Sequence, residues 1–240
     1  MKASIGWYGK LPTIGDFAQR RLPHAFVEQW DGWLQECLQA SRAALGPGWT
    51  EQYLGAPVWR FVLLPGVIGA EAWAGVLLPS VDRVGRYFPL TVCASLPACA
   101  PLGSSLEALD RWLDELTACA LLGLDAEGGY LRLEAALKEL EPPASPAGLP
   151  ASQSVQAQAQ TETAAGFLNI LAARLLPPRL AGESLWWCCS PGAESAGFSC
   201  QGLPPPPAFA AMLCGRTPAA PAQTGSGCPP AIERGKPACC

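Results

Sequence analysis

Histidine is almost absent from this 240-residue chain, since His24 is the single copy. Catalysis by a serine or cysteine nucleophile needs a base, most often a histidine, to accept the proton of the nucleophile. His24 lies at the first turn of a predicted amphipathic helix, where a surface or capping role is expected. The G-x-S-x-G motif that presents a nucleophilic serine is also missing. The sequence therefore argues against a hydrolase of the Ser–His or Cys–His type.

Charged residues are scarce as well, making up 15% of the chain, and the formal net charge is −4. The 16 lysines and arginines form no basic stripe that could track a phosphate backbone. The most apolar region, Pro57–Pro79, is interrupted by Arg60, Pro65 and Glu71, so no transmembrane helix is predicted. The N-terminus lacks the apolar core of a signal peptide. We therefore expect a cytoplasmic protein that binds no nucleic acid and does not insert into a membrane.

Cysteine is abundant but is not spaced for metal binding. The chain has 11 cysteines, and no two of them form a C-x-x-C pair. Zinc sites use ligands in paired spacing, usually together with histidine. Cys37, Cys93 and Cys119 lie within apolar patterns, which is typical of small buried side chains. We therefore predict neither a metal nor another cofactor.

Apolar periodicity predicts interleaved strands and helices in the first part of the chain. Apolar residues recur at helical spacing after Pro23, a capping box at Ser104 and Glu107 begins a second helix, and Tyr130–Leu140 forms a third. Four segments have strand composition: Ile5–Tyr8, Val58–Leu64, Trp73–Pro79 and Leu90–Leu96. The second and third of these strands are joined by a hairpin-length connection, so the sheet cannot be purely parallel. Their nearly continuous apolar character predicts strands that are covered on both faces, as in an α/β sandwich.

The rest of the chain consists of segments that differ in composition. Residues 142–161 have no charged or aromatic side chain and are rich in Pro, Ala, Ser and Gln, which predicts a linker. From about residue 216 onward, the composition predicts a disordered tail. Between these segments we predict a helix over Thr163–Leu176, a strand over Leu185–Cys189 that pairs with Gly197–Cys200, and a short helix over Pro204–Leu213.

The most informative segment is the polar loop within Leu77–Leu90, which carries Asp82, Arg83 and Arg86. Loops held by buried strands are where binding and catalytic groups concentrate. The two arginines could bind an anion or a phosphorylated partner, because a guanidinium group pairs with phosphate through two hydrogen bonds. The three charges could instead form an internal ion-pair network in which Asp16 takes part, or they could be solvated.

A second polar loop follows the first predicted strand and contains Lys10 and Asp16. A Gly-Lys pair after a strand partly matches a phosphate-binding loop, but Leu11 stands where the Walker motif requires Ser or Thr. A rigid turn is favoured, in which Asp16 accepts hydrogen bonds from nearby amides. Asp16 and Asp82 are also the two loop carboxylates that acid–base catalysis would use if they shared a cleft.

Six sequence blocks, in a fixed order, carry a family resemblance. They are GKLPTIGDF (Gly9–Phe17), LPHAFVEQWDGWL (Leu22–Leu34), APVWRFVLLPGVIG (Ala56–Gly69), WAGVLLPSVDRVGRYFPL (Trp73–Leu90), ESLWW (Glu183–Trp187) and GLPPPPAF (Gly202–Phe209). Together they resemble TagF, a family of cytoplasmic accessory proteins of bacterial type VI secretion systems. The resemblance covers roughly residues 3 to 215. We therefore assign residues 1–215 to one TagF-like domain with a linker insert at 142–161, and residues 216–240 to a separate tail.

The resemblance implies a three-layer α/β/α sandwich with a mixed sheet, similar to longin domains. It also implies a non-enzymatic, post-translational repressor of secretion-system assembly that binds the forkhead-associated scaffold protein Fha. On this interpretation, six residues of the two polar loops form a partner-binding or anion-binding surface: Lys10, Asp16, Asp82, Arg83, Arg86 and Tyr87.

Three functional hypotheses remain open at this point. A binding module would use exposed aromatic and arginine anchors, and the candidates are Trp7, Tyr8, Arg83, Arg86 and Tyr87. A small hydrolase or anion-binding enzyme would instead need Asp16, Asp82 and Arg86 to converge in one pocket. A structural subunit would be present in stoichiometric amounts in the assembled secretion apparatus.

Overall fold

The computed structural model describes residues 4–96, 106–142, 181–188 and 196–218. Within these ranges the strands are β1 (Gly6–Gly9), β2 (Ala18–Arg20), β3 (Trp59–Leu63), β4 (Ala72–Leu78), β5 (Leu90–Leu96), β6 (Glu183–Cys188) and β7 (Ala196–Gln201). The α-helices are α1 (His24–Leu45), α2 (Trp49–Leu54), α3 (Leu106–Leu122), α4 (Gly129–Glu139) and α5 (Phe209–Leu213). Short 3-10 turns at Gly46–Gly48 and Pro206–Ala208 precede α2 and α5.

The strands form one sheet in the order β2-β1-β5-β4-β3-β6-β7. Each pairing between the described strands is antiparallel. The prediction of a mixed sheet is therefore wrong for this part of the chain, although the predicted β3–β4 hairpin is confirmed. Parallel neighbours require a crossover that returns the chain to the same end of the sheet. Here the connections between β1 and β2, β3 and β4, and β4 and β5 each reverse the chain onto an adjacent strand.

Helix α1 follows Pro23, as its sequence pattern predicts. Its apolar side chains recur every three or four residues and therefore lie on one face. The buried members of this face are Phe26, Trp30, Trp33, Leu34, Cys37 and Leu38. The helix ends before Gly46, whose φ of 54° lies in the left-handed region that glycine adopts at low cost.

Two apolar clusters cover the two faces of the sheet, because successive side chains of a strand point to opposite sides. On β3, Phe61 and Leu63 join the cluster that contains α1, whereas Val62 joins the cluster that contains the buried residues of α3 and α4. On β4, Trp73 contributes to the first cluster and Ala74 to the second. The prediction that these strands are covered on both faces is thus confirmed.

The other predictions made from the sequence fall into two groups. The helices around Leu109–Leu116 and Tyr130–Leu140 and the β6–β7 pairing are confirmed, with bounds that shift by a few residues. The predicted linker beyond residue 142, the helix over Thr163–Leu176, Ser104 of the capping box and the tail beyond residue 218 lie outside the described residues. The division into a domain and a tail stays a prediction.

Strand β2 and helix α2 are elements that the sequence patterns did not indicate. In the described ranges, each helix is too short or too polar to cross a membrane.

Candidate functional site

The two polar loops meet at one end of the sheet because β1 and β5 are neighbours. We call the pair, residues 10–17 and 79–89, the double loop. Strand β1 ends where β5 begins, with Tyr8 opposite Thr91. The chains approach so closely here that a Cβ added to Gly9, whose φ is +138°, would lie 2.1 Å from the carbonyl oxygen of Pro89. Only glycine allows the first loop to leave the sheet at this position.

Backbone and side-chain hydrogen bonds join the two loops along their length. The hydroxyl of Ser80 donates to the carbonyl oxygen of Lys10 at 2.7 Å, and the backbone N–H of Arg83 donates to the carbonyl oxygen of Ile14 at 3.1 Å. The second loop is also tied to α2, since the Tyr53 hydroxyl donates to the carbonyl oxygen of Ser80 at 2.8 Å. The double loop is therefore a fixed part of the fold.

Asp82 is the centre of this arrangement, and its side chain is fully buried. Its Oδ2 atom accepts hydrogen bonds from Lys10 Nζ at 3.0 Å and from Arg86 Nε at 2.6 Å. Its Oδ1 atom accepts from the backbone N–H groups of Val84 at 3.0 Å and Arg86 at 2.9 Å. A buried carboxylate is stable only when it is paired and hydrogen-bonded, and both oxygens of Asp82 meet this requirement.

The protonation of Asp82 follows from these contacts. Burial by itself would raise the pKa of the carboxyl group, because the charged form is less stable away from water. The hydrogen bonds from the Arg86 backbone, the Lys10 and Arg86 side chains and the Val84 backbone outweigh burial and hold the pKa of Asp82 well below its ordinary value. Asp82 is therefore a permanent anion that organises its loop, and its basicity is too low for a general base at neutral pH.

Lys10 and Arg86 differ in exposure although both pair with Asp82. Lys10 is buried, and its ammonium group also lies 4.7 Å from the centre of the Phe17 ring, a cation–π contact. The Arg86 side chain is 55% exposed, and its Nη2 donates to the carbonyl oxygen of Gly15 at 2.5 Å. Arg86 thus links the carboxylate of one loop to the backbone of the other.

Asp16 does not join this network, which corrects the hypothesis that included it. Asp16 is exposed, and its Oδ1 accepts the backbone N–H of Phe17 at 2.8 Å, as expected for a turn aspartate. The structure places the internal ion pairs on Asp82 with Lys10 and Arg86 instead. Asp16 is exposed whereas Asp82 is buried, so the two loop carboxylates that acid–base chemistry would need lie in different environments.

Two of the three aromatic candidates for exposed anchors are inside the fold. Trp7 is fully buried, and Tyr8 is 7% exposed, so neither can serve as a surface anchor. Tyr87 is partly buried and packs edge-on against Trp49 and Tyr53, with ring centres 5.4 and 5.5 Å away. The prediction that Trp7 and Tyr8 are exposed anchors is wrong, because β1 directs the Trp7 ring toward Tyr130 of α4 and the Tyr8 ring toward α1, where its hydroxyl donates to Asp31. The role of Tyr87 in binding stays a prediction.

The side chains that the double loop does expose to solvent are different from these aromatic candidates. Arg83 is exposed, as predicted. Val84 is 67% exposed and Phe17 is 46% exposed, and neither was indicated by the sequence patterns. The exposure of Val84 could have been predicted from its position, since it is an apolar residue that stands among charged residues in a loop. No local pattern distinguishes Phe17 from a buried phenylalanine.

Comparisons with known proteins agree with the family resemblance. Residues 6–140, which contain the whole double loop, match the family model described as the TagF N-terminal domain, type VI secretion system-associated. A solved structure titled PA0076 from Pseudomonas aeruginosa PAO1 is 40% identical to this chain and has a TM-score of 0.75. That similarity covers 93% of this chain and 100% of the other. A search of curated proteins gave no match.

Proposed function

This chain belongs to the TagF N-terminal domain family, which is associated with type VI secretion systems, and we propose that it is a non-enzymatic repressor of secretion-system assembly. It acts after translation, in the cytoplasm, by binding the forkhead-associated scaffold protein Fha. The association with the secretion system rests on the family match. The repressor role and the scaffold partner extend it along the resemblance drawn from the sequence blocks.

The carboxylate of Asp82, whose two oxygens both accept hydrogen bonds from the protein, is the observation that favours binding over catalysis. A catalytic acid or base must be able to exchange a proton with substrate. The two carboxylate oxygens of Asp82 instead accept four hydrogen bonds, which hold the loop in one conformation. A loop fixed in this way presents Arg83 and Val84 to solvent in one conformation, which is what a recognition surface needs.

The enzymatic alternative has less support from these residues. It required Asp16, Asp82 and Arg86 to converge on a substrate. Asp16 faces solvent and is bound to its own turn, whereas Arg86 is engaged by Asp82 and by the Gly15 carbonyl oxygen. We therefore assign no catalytic step to the double loop.

The fold is part of the same proposal. Helices pack against both faces of the antiparallel sheet, as the two apolar clusters indicate. We infer that the domain is a three-layer α/β/α sandwich of the longin-like type, with α1, α2 and α5 in one outer layer and α3 and α4 in the other. Such a scaffold leaves the loops at the ends of the strands free for binding.

The test combines binding and assembly. Purified chain is mixed with purified Fha, and the complex is measured by size-exclusion chromatography. In cells, the chain is overproduced and assembled apparatus is counted as foci of a fluorescent sheath protein. We expect a stable complex and fewer foci, and the Trp30→Ala variant, whose fold we expect to be weakened, serves as the control for dependence on a stable fold. Absence of binding together with unchanged foci would contradict the proposal, and stoichiometric recovery of the chain in purified apparatus would indicate a structural subunit instead.

A further inference from the structure

The tip of the double loop exposes two apolar side chains next to an arginine. Val84 is 67% exposed, Phe17 is 46% exposed, and Arg83 lies between the two loops at the surface. The Arg83 guanidinium lies over Gly15, since a Cβ added there would be 3.4 Å from its Nη2 atom. We call Phe17, Arg83 and Val84 the loop tip. Arginine is enriched in interaction hot spots, and the exposed aromatic ring of Phe17 and the side chain of Val84 offer apolar contact area beside it.

Arg83 differs from several other arginines of the protein because its side chain has no partner among the residues that the structure describes. Four other arginines form ion pairs: Arg86 with Asp82, Arg132 with Asp125, Arg21 with Glu134 and Arg60 with Asp110. The guanidinium of Arg83 keeps all its hydrogen-bond donors available. It can therefore form a new charge-assisted pair without breaking an existing one.

The formal charge of the double loop is opposite in sign to that of the whole chain. The double loop holds three basic side chains, Lys10, Arg83 and Arg86, against the two carboxylates of Asp16 and Asp82. One positive charge is left over in a chain whose formal net charge is −4. A complementary partner surface is therefore negative.

The loop tip is also held in place before any partner binds. The backbone N–H groups of Val84 and Arg86 are bound to Asp82, and the Arg83 N–H is bound to the Ile14 carbonyl oxygen. The Phe17 ring packs edge-on against Phe88 with ring centres 4.7 Å apart. Ordering the loop backbone and the Phe17 ring on binding therefore costs little conformational entropy.

We propose that the loop tip recognises an acidic segment of a partner protein that also carries an apolar side chain. A carboxylate of the partner pairs with Arg83, and the apolar side chain packs on Val84 and Phe17. Phosphate groups are bound by clusters of arginines, whereas Arg86 is already occupied and Arg83 is the single unpaired guanidinium of the tip. The proposal therefore commits to Asp or Glu carboxylates. It rests on the proposed function in assuming that the partner belongs to the secretion system.

Photo-crosslinking in the native bacterium tests the surface without assuming the identity of the partner. A photo-reactive amino acid replaces Val84 in one strain and Leu131 in a matched strain. Leu131 is a suitable control because it is 69% exposed but belongs to α4 and not to the double loop. We expect a crosslink from position 84 that is stronger than from position 131 and that maps to a peptide rich in Asp and Glu with an apolar residue.

A charge reversal completes the test. Arg83→Glu, combined with the reactive group at position 84, should lower the crosslink about tenfold or more, because a charge-assisted hydrogen bond is replaced by repulsion. Arg111→Glu is the matched control, since Arg111 is an exposed residue of α3, and it should leave the crosslink unchanged. Far-UV circular dichroism confirms that both variants fold.

The outcomes separate this inference from the proposed function. An acidic peptide of Fha at position 84 supports both, whereas an acidic peptide of another secretion-system protein supports the loop tip and contradicts the choice of Fha. The inference is overturned by a crosslink no stronger than at position 131, by a peptide without acidic residues, or by insensitivity to Arg83→Glu. Loss of the crosslink after phosphatase treatment also overturns it, because the ligand would then be a phosphate.

Discussion

Truncation of Trp30 tests the central packing of the domain. Trp30 is fully buried in the N-terminal half of α1, and its indole N–H donates to the Thr91 hydroxyl on β5 at 2.7 Å. Its ring contacts four aromatic rings with centres 4.7 to 6.1 Å away, those of Phe26, Trp33, Phe61 and Trp186. The side chain therefore joins α1 to the sheet through both an apolar cluster and a hydrogen bond.

The expected cost of Trp30→Ala follows from these contacts. Emptying a large aromatic site typically lowers the free energy of unfolding by about 3–5 kcal/mol. Since single domains have a total stability of about 5–15 kcal/mol, the variant should be close to unfolding under mild denaturation. Trp30→Phe retains most of the apolar surface but leaves the Thr91 hydroxyl without its donor, so we expect a smaller loss of about 1–3 kcal/mol.

Urea denaturation followed by far-UV circular dichroism measures both variants. Tryptophan fluorescence is less suitable because the chain has nine tryptophans. With a slope of about 2–3 kcal/mol per molar urea, the midpoint of Trp30→Ala should fall by roughly 1–2.5 M relative to wild type. A loss below about 1 kcal/mol with an unchanged slope would refute the reasoning, because it would mean that the neighbouring rings close the site or that α1 buries another face.

Two further predictions concern the double loop and the close contacts of glycine. Because the pKa of Asp82 is lower in the folded protein than in the unfolded chain, its charge stabilises the fold above the ordinary Asp pKa, and this contribution is lost as pH falls below about 5. Urea titrations of wild type and Asp82→Asn should therefore show a stability gap at pH 7 that narrows toward pH 3, and a gap independent of pH would contradict the role of the carboxylate. A Cβ at Gly75 would lie 2.4 Å from the Cβ of Cys93, so Gly75→Ala should lower stability by about 1–3 kcal/mol. Gly32 lies in α1, and an added Cβ there would have no atom within 4 Å apart from its chain neighbours and its own helix backbone. Gly32→Ala should therefore stabilise the fold by about 0.5–1 kcal/mol and raise the thermal midpoint. Equal shifts in stability for the two variants would show that close contact does not decide the outcome.

Much of the fold was predictable from the sequence because strands and helices impose their own local periodicity. The stripe from Phe26 to Leu38 requires 3.6 residues per turn, and the apolar runs before and after the polar loop require extended backbone. Short elements were missed for the converse reason. Strand β2 has three residues, and helix α2 has six, so neither repeats its period often enough to be recognised.

The candidate site was predictable in its composition but not in its internal pairing. The local cluster of Asp82 and Arg86 indicated an ion pair, and this pair forms within one loop. The pairing of Lys10 with Asp82 was not indicated, because Lys10 lies 72 residues earlier in the chain and reaches Asp82 only when β1 pairs with β5. Asp16 appeared equally suitable by residue type, yet its loop turns its carboxylate toward its own backbone and solvent.

The sequence by itself determined which segments become helices and buried strands, and that an acidic and basic loop stands between two of those strands. These properties depend on neighbours a few residues away, whose geometry is set by the backbone. Tertiary structure alone decided the antiparallel strand order, the burial of Trp7 and Tyr8, and which of two nearby arginines is paired with a carboxylate. Arg86 is bound to Asp82, whereas Arg83 is left exposed at the loop tip. Those outcomes depend on which distant segments become adjacent, and the free energy of such contacts is shared among residues that no local pattern connects.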